Sequence, residues 1–514
     1  MNAGISLFAE RPLEKLADAR SSNLGGDAVA SLARDAILQG LDIAQLESLA
    51  RITQSSRAIA DLPIERWAVI GGYTTHPVSL ALRAALLALG RRAEIYESEF
   101  DALRAGLLAP AHPVYEFEPS HVLFCIGHKD LENAETGAHA DETNRRIDST
   151  YELLEHRWKL LQKKCGAKIH THNIDAPPHS LGNRFAREYS WNESNAANAF
   201  NSQMTDAAKT GIDVVDVRSL QDDIGAKNWF SPKWYATAKL GFDPRWIAQY
   251  SRFLYTHLAA QFGCSLKAIV LDLDNTLWKG IIGESGWDGV SLGAGTPEGE
   301  GHADFCRHLK SLSNSGVLLA VATNNEPARA REIFDKHPAM PLAISDFVGF
   351  EAVWSFKAES VRSIAAKANI RIRDLAFLDD SKAECEAVKQ AFPEAVVLHA
   401  GEDPTSFSGD LARLNLFERS ATTQEDLHRN TSVQALNAAA DFEKAALDRP
   451  AFLRNLEMSS RVREPIDGEF PRVSQLFAKT NQFNFNQQSF DEQQLRAPER
   501  SCLVCDLQDR FTHH

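Results

Sequence analysis

Two carboxylates one residue apart, Asp272 and Asp274, stand directly after the apolar run Ala268-Ile-Val-Leu271 and are followed by Asn275 and Thr276. A buried strand that ends this way holds both acids at the carboxyl edge of a sheet, where open α/β folds bind ligands. Past the strand's end the chain turns, so the two acids can take different tasks. One can attack phosphorus while the other moves a proton, the division of labour that phosphoryl transfer through an aspartyl-phosphate requires. An Asp-rich strand end can also be a plain surface turn, so the rest of the chain has to decide.

Three later features bear on it. Gly316-Val-Leu-Leu-Ala-Val-Ala322 reads as a second buried strand and ends on Thr323, Asn324 and Asn325, whose hydroxyl and amides can donate hydrogen bonds to a phosphate. Lys357 opens a helical pattern carried by Val361, Ile364 and Ala365, where its cation can neutralise phosphate oxygens. Leu375-Ala-Phe-Leu378 reads as a third strand and ends on Asp379 and Asp380, acids suited to Mg²⁺, a hard cation that takes oxygen ligands. Singly these are a capping Thr, a surface Lys and a solvated turn. In this order, each at the end of an element, they point to one site.

The elements that must position this site follow from length and pattern. A chain of 514 residues predicts about three domains. Residues 1–60 read as a helical segment, with apolar spacing in Asp27–Ala33 and Leu46–Ile52. Residues 61–262 alternate strands (Ala68–Ile70, Ala93–Tyr96, Val122–Cys125, Lys168–His170, Asp213–Val215) with helices such as Leu80–Leu89 and Tyr151–Lys164. That alternation predicts a three-layer α/β/α sandwich with a mostly parallel sheet. Residues 263–425 carry the acidic motifs on a second parallel α/β sheet. The stretches from Asp274 to Thr323 and from Thr323 to Lys357 each hold about one helix and one strand, which leaves no room for an inserted cap domain. An open site suits a large substrate, or one covered by another domain.

Composition narrows the class. A hydrophobic content of 44% is enough for several cores, and no apolar run reaches the ~18 residues of a membrane span. The start lacks a signal-peptide pattern, and seven scattered Cys suit a reducing compartment, so a cytoplasmic protein is expected. Cys502-Leu-Val-Cys505 has metal or redox spacing but no second pair, and its apolar interior reads as a strand. A net charge of −14 argues against nucleic acid and anionic membranes as partners. An acidic partner would need a local basic patch, for which Arg91-Arg92, Arg145-Arg146, Lys159 and Lys163-Lys164 are candidates.

The four motif groups resemble the haloacid dehalogenase-like (HAD) phosphatase superfamily. The resemblance implies Asp272 as nucleophile, Asp274 as general acid/base, Thr323 and Lys357 as phosphate-binding catalytic residues, and Asp379 with Asp380 as the metal-binding motif. Mg²⁺ would then be held by Asp272, Asp379 and the backbone carbonyl of Asp274, with Asp380 behind them and Asn324 and Asn325 near the substrate. A narrower likeness, in Leu271–Trp278 with Gly280 and Gly283-Glu284 and in Arg472–Leu476 with Lys479-Thr-Asn-Gln-Phe-Asn484, is to the FkbH-like subgroup. Glu425–Arg429 and Phe452–Glu457 fit that subgroup's linker, while Ser381–Cys385 departs from its usual Asn-Pro turn. FkbH-like proteins take a glyceryl unit from 1,3-bisphosphoglycerate, a phosphorylated three-carbon acid, and load it onto the phosphopantetheine arm of an acyl carrier protein in polyketide or related biosynthesis. The resemblance also implies an SGNH-like fold for residues 61–262. Gly71-Gly-Tyr-Thr-Thr75 stands where that fold carries its nucleophilic Ser, so a non-hydrolytic domain is expected, with Thr74, Thr75 and His76 lining a pocket. Residues 426–514 would be a helical linker and an incomplete acyltransferase-like (GNAT) segment. Phosphatase action on another metabolite or phosphoprotein, and a non-catalytic scaffold for carrier complexes, are the alternatives.

Overall fold

Strand periodicity and burial build the molecule in two stages. A computed structural model describes residues 4–18, 24–55, 59–99, 103, 112–132, 137–178, 188–420, 429–445, 457–479, 490, 492–497 and 501–508. The chain divides into two compact units, residues 1–422 and 423–514.

The first unit is α/β and holds two sheets. The N-terminal one has five parallel strands in the order β3 (Arg92–Glu97), β2 (Ile64–Gly71), β4 (His121–Cys125), β5 (Lys168–His172) and β6 (Asp213–Val215). Alternation along β2 shows why it is central. Trp67 and Val69 join the core with Leu82, Leu86, Leu254 and Leu258 from the helices His76–Ala88 and Ile247–Gln261. Ala68 and Ile70 face the opposite core, with Leu154, Trp158, Phe200 and Met204 from the helices Ala140–Cys165 and Glu193–Ala208. Two buried faces give a run with no polar gap, as parallel strands require.

The other sheet runs β1 (Ser6–Leu7), β11 (Val396–His399), β10 (Leu375–Asp379), β7 (Ala268–Leu271), β8 (Leu318–Thr323) and β9 (Phe347–Ala352). All pairs are parallel except β1 with β11. From β7 the chain builds outward to β8 and β9, then returns to the other side of β7 with β10. The carboxyl ends of β7 and β10 therefore flank the crevice where such folds take ligands. Residues 275–317, between β7 and β8, form a short flap and the helix Pro297–Asn314, with no inserted domain.

Three strands escape the sequence reading: β1 has two residues and no periodicity to detect, β11 has four, and Ser459–Arg463 is exposed. β9 falls in the stretch from Thr323 to Lys357, where one strand was expected. The segment 1–60 does form three helices, Pro12–Asp18, Gly26–Gln39 and Ile43–Ser55, yet it is not helical throughout, since β1 extends the far sheet. It also ties the sheets together. Buried Arg34 donates to the carbonyls of Glu394 (2.9 Å) and Ala395 (3.2 Å), and Lys389 meets Asp35 at 2.6 Å.

The second unit has the helix Arg429–Ala445 and an antiparallel pair, β12 (Ser459–Arg463) with β13 (Val504–Gln508). Arg463 clamps it, donating to Glu469 and Asp506 at 2.7 Å each. Cys505 lies within β13, so Cys502-Leu-Val-Cys505 runs into a strand. Thr480–Asn484, Glu425–His428 and Phe452–Leu456, all quoted above for a likeness, lie outside the described residues. No helix among the described residues is long and apolar enough to cross a membrane.

Candidate active site

β7 stops at Leu271, and the next backbone N–H, that of Asp272, donates to Leu378 O on β10 at 2.9 Å. That bond sets Asp272 beside Asp379, the last residue of β10. Helix Lys357–Lys367 starts at the same edge, and Lys357 Nζ lies between the acids, 2.8 Å from Asp272 Oδ1 and 2.6 Å from Asp379 Oδ2. All three side chains are buried. The second oxygen of Asp379 accepts from Ser381 N at 2.9 Å, and Ser381 in turn caps the helix Lys382–Ala391. Asp380 completes the group: one oxygen from each of Asp272, Asp379 and Asp380 falls within 4.8 Å of the others.

Three carboxylates against one ammonium leave excess negative charge in a place water hardly reaches. Burial, with repulsion from Asp379, pushes the Asp272 carboxyl up to about 7. Burial raises Asp379 as well, and burial with the Asp272 charge raises Asp380. Burial works against the charge of Lys357, but Asp272 and Asp379 outweigh it and hold the ammonium above its ordinary range. Such a cluster favours whatever brings positive charge.

Asp274 is held differently. Asn275 turns left-handed, at φ 57°, a conformation Asn tolerates better than most residues. The turn carries Asp274 away from the other carboxylates. Its Oδ1 accepts from Trp278 Nε1 (2.9 Å) and Ile282 N (3.0 Å), and its Oδ2 accepts from Asn325 Nδ2 (2.9 Å). Asn325 also donates to Thr323 Oγ1 at 3.0 Å, so one amide fixes the ends of both β7 and β8. Asn324 Nδ2 donates to Glu384 Oε1 at 3.4 Å; with its amide reversed it would donate to Val353 O and Ser355 O instead.

The structure thus brings Asp272, Asp274, Thr323, Asn324, Asn325, Lys357, Asp379 and Asp380 to one sheet edge. The Asp274 carboxylate stands outside the three-acid cluster, its oxygens taken by Trp278, Ile282 and Asn325, and the sequence expectation gave only its backbone carbonyl to the metal. One placement differs from that expectation: the Asp380 carboxylate is part of the cluster rather than behind it. Asn324 and Asn325 spend their amides on positioning. Trp278 and Asn275 were in the motif but were given no role; a Trp four residues past an acid across a tight turn is the signal that could have found one.

Thr74, Thr75 and His76 stand apart from this edge, after β2. Thr74 Oγ1 donates to Ala238 O at 2.7 Å, Thr75 is buried, and His76 faces Glu97 at 3.3 Å. The space beside Thr74 is a void of about 10 Å³, room for one water at most. Several of the basic residues considered for docking have local partners: Arg91 pairs with Glu65, Arg146 with Glu142 and Lys159 with Glu155.

Exposed apolar side chains stand near the site. Across it runs the flap from Lys279 to Ser291, pinned by Arg329 donating to Gly283 O at 2.7 Å, with Ile281 exposed on it. On the loop leading to Lys357, Trp354 is 80% exposed and Phe356 76%, the highest values for large apolar side chains among the described residues.

No family model and no curated protein matches this chain. Four solved chains do. One is the N-terminal part of the protein BF1531 from Bacteroides fragilis, which contains a phosphatase domain and was crystallised with Mg; it is 24% identical, with a TM-score of 0.67 over 73% of this chain and 99% of that one. A protein from Corynebacterium glutamicum aligns over 30% of this chain at 14% identity, and its TM-score of 0.21 is too low to compare folds. The first likeness places about three quarters of this chain in a fold already seen in a crystal.

Proposed function

We propose that the chain is a Mg²⁺-dependent phosphatase of the HAD kind, with Asp272 as nucleophile. The single observation that carries the reading is the convergence on Lys357: its ammonium bridges Asp272 and Asp379 at the crevice between β7 and β10, with Asp274 poised two residues from the nucleophile. The Mg bound to the Bacteroides phosphatase-domain protein, which shares the fold, supports the cation. So do the donors themselves, three buried or half-buried carboxylates with oxygens within 4.8 Å and one ammonium among them. Asp272, Asp379 and Asp380 would hold the ion. When bound, it supplies charge that offsets repulsion between the carboxylates and an incoming phosphate.

The chain's own residues then divide the chemistry. Asp272 Oδ attacks phosphorus, forming an Asp–O–P bond as the bond from phosphorus to the leaving oxygen breaks. Asp274, entering the cycle with a proton on Oδ2 beside its bond from Asn325, gives that proton to the leaving oxygen. Water then attacks the phosphoaspartate, Asp274 takes back a proton, and phosphate leaves with Asp272 regenerated. Lys357 and Thr323 stay in place throughout, offering a charge and a hydroxyl to the transferring group.

We infer further that the leaving group belongs to a three-carbon acid delivered to an acyl carrier protein. Together, the carrier's thiol displacing the carboxyl phosphate of 1,3-bisphosphoglycerate and hydrolysis of the remaining ester would give a glyceryl thioester and two phosphates. What supports the partner is the exposure of Ile281, Trp354 and Phe356, an apolar rim suited to a carrier's arm. The decisive experiment incubates the protein with Mg²⁺, 1,3-bisphosphoglycerate and a holo-carrier, and follows phosphate and carrier mass together. Phosphate release with a glyceryl mass shift supports both parts. Release without a shift leaves the phosphatase and removes the carrier. No release removes both.

A further inference from the structure

Across the amino-terminal end of the five-stranded sheet runs a polar stripe that the phosphatase chemistry does not use. His121 on β4, His170 on β5 and Asp213 on β6 share the face covered by helix Ile247–Gln261, which adds His257 and Gln261. Asp213 Oδ2 lies 2.5 Å from His170 Nδ1 and 2.8 Å from His257 Nε2, while Gln261 donates to its other oxygen at 2.6 Å. The three candidate ligand atoms all lie within 4.8 Å of one another. Asp213 and His257 line a cavity of about 830 Å³, with His170 behind them. Two further groups on that wall, Gln249 Oε1 and Arg252 Nε, are buried with no hydrogen-bond partner among the described residues.

We infer that His170, Asp213 and His257 form a second cation site, for a borderline transition ion of the Zn²⁺ class, with its open coordination position facing this cavity. Two imidazoles and one carboxylate are the donor set such an ion takes, whereas Mg²⁺ prefers oxygen alone. Outer support is already built. The second nitrogen of His170 meets His121 Nδ1 at 2.9 Å, and His121 Nε2 lies 3.6 Å from Glu65 Oε2, a carboxylate–imidazole chain behind the ligand. Trp67 packs on both rings, with centroids 4.5 and 4.7 Å away, and fixes their planes. Metal-ligating histidines carry this kind of support on their second nitrogen. Binding takes the lone pairs of the ring nitrogens that face Asp213, each imidazole keeping its proton on its other nitrogen, and bonds of ~2.0–2.2 Å open the triangle slightly. A cavity of this size leaves room for a small molecule at the open position.

The test uses the full chain with thiols alkylated, so that Cys502 and Cys505 cannot compete, and with excess Mg²⁺ filling the carboxylate site. It is equilibrated with Zn²⁺ or Co²⁺, desalted, and read by elemental analysis and visible absorption. The expected result is one retained equivalent, with the strong Co²⁺ band of a low-coordinate nitrogen-containing site. His257→Gln should weaken binding by more than about 100-fold and Gln261→Ala by about 10-fold, in line with lost ligands and lost outer partners. Mg²⁺-dependent phosphate release should be unchanged in both. Should Asp213→Asn fail to fold, His257→Gln decides alone, since Zn²⁺ should raise the melting temperature of the wild type and not of this variant. No retained equivalent, or retention and stabilisation unchanged in His257→Gln, overturns the inference and leaves a hydrogen-bonded stripe.

Discussion

The carboxyl edges of the two sheets make a natural experiment, because both are parallel, flanked by helices, and have a crevice where the strand order reverses. At the six-stranded edge, side chains from β7, β8, β10 and the helix after β9 bring three carboxylates and one ammonium together, with Trp354 and Phe356 exposed nearby. At the five-stranded edge the polar groups face one another. Tyr73 OH meets His172 Nδ1 at 3.2 Å, His172 Nε2 meets Tyr250 OH at 2.9 Å, and Thr74 is tied to Ala238 and Lys239. Gly72 lies so close to the Asp130 carboxylate that a Cβ there would collide with it. The same architecture therefore gives a reactive edge when unlike charges are concentrated without full neutralisation, and a structural edge when its polar groups are matched to one another. A fold offers the crevice; the balance of charge within it decides the use.

The sharpest break between the edges is the nucleophile. Asp272→Asn keeps the shape and removes the attacking charge, so phosphate release should fall to background, while Tyr73→Phe should leave it within about twofold, as a change outside the site. Loss of activity in Tyr73→Phe with retention in Asp272→Asn would reverse the comparison. Next is the cation. Chelation should abolish turnover, Mg²⁺ but not Zn²⁺ should restore it, and Asp379→Ala should lose that response, all read by continuous phosphate assay. Activity undiminished in excess chelator would remove the metal from the reading.

Asp274→Asn should cost roughly 10²–10⁴-fold in turnover, the ordinary worth of a positioned general acid, and let phosphoenzyme accumulate to an extent visible by intact mass. Asn325→Ala should lower turnover less, because it loosens Asp274 and Thr323 without removing either. Equal losses in the two variants would instead make Asn325 a direct participant.

Legibility differed between the edges for a physical reason. Asp272, Thr323, Lys357 and Asp379 each sit at the end of a strand or the start of a helix, so the apolar run before a strand-end polar residue announces both the element and the exit point. The central strands β2 and β4 were equally readable, since burial on both faces writes apolar runs such as Val122–Cys125. What could not be read was partnership at long range. That Asp274 is clamped by Trp278 and Asn325, or that Arg34 reaches the carbonyls of Glu394 and Ala395, depends on packing between elements far apart in the chain. β1 was invisible because two residues carry no period. The stripe from Glu65 to His257 was hidden for another reason: its members are scattered singly over strands and a helix, and each alone reads as an ordinary polar residue.

The rim should matter less than the charges and in a different way. Trp354→Ala and Phe356→Ala remove exposed surface, so the fold and the turnover of a small phosphomonoester should hardly change. With a holo-carrier as acceptor, each should raise the apparent KM several-fold while leaving kcat near wild type, since the rings would contribute uniform binding. A loss in kcat on the small substrate would instead place the rings inside the reaction.

The smallest effect compares the two sheets through buried imidazoles. Burial lowers His172, at the five-stranded edge, to about 3, and His302, beneath the reactive edge, to about 4. Both folded-state values lie below the ordinary 6.5, so each residue adds stability that is fully present above pH 6.5 and lost as pH falls toward the folded value. His302→Asn can keep the bond to Thr276 O that Nδ1 now makes at 3.1 Å, yet it does not titrate. Between pH 7.5 and pH 5 the wild type should lose about 2 kcal/mol more stability than this variant in denaturant titrations, the linkage of one imidazole kept neutral over about 1.5 pH units. His172 is a harder case, because its removal leaves the Tyr73 and Tyr250 hydroxyls unpaired, and the variant should be destabilised at every pH. Parallel pH profiles for wild type and His302→Asn would show that the His302 imidazole is already charged or solvated in the folded chain, and that the reactive edge is wetter beneath its surface than its packing implies.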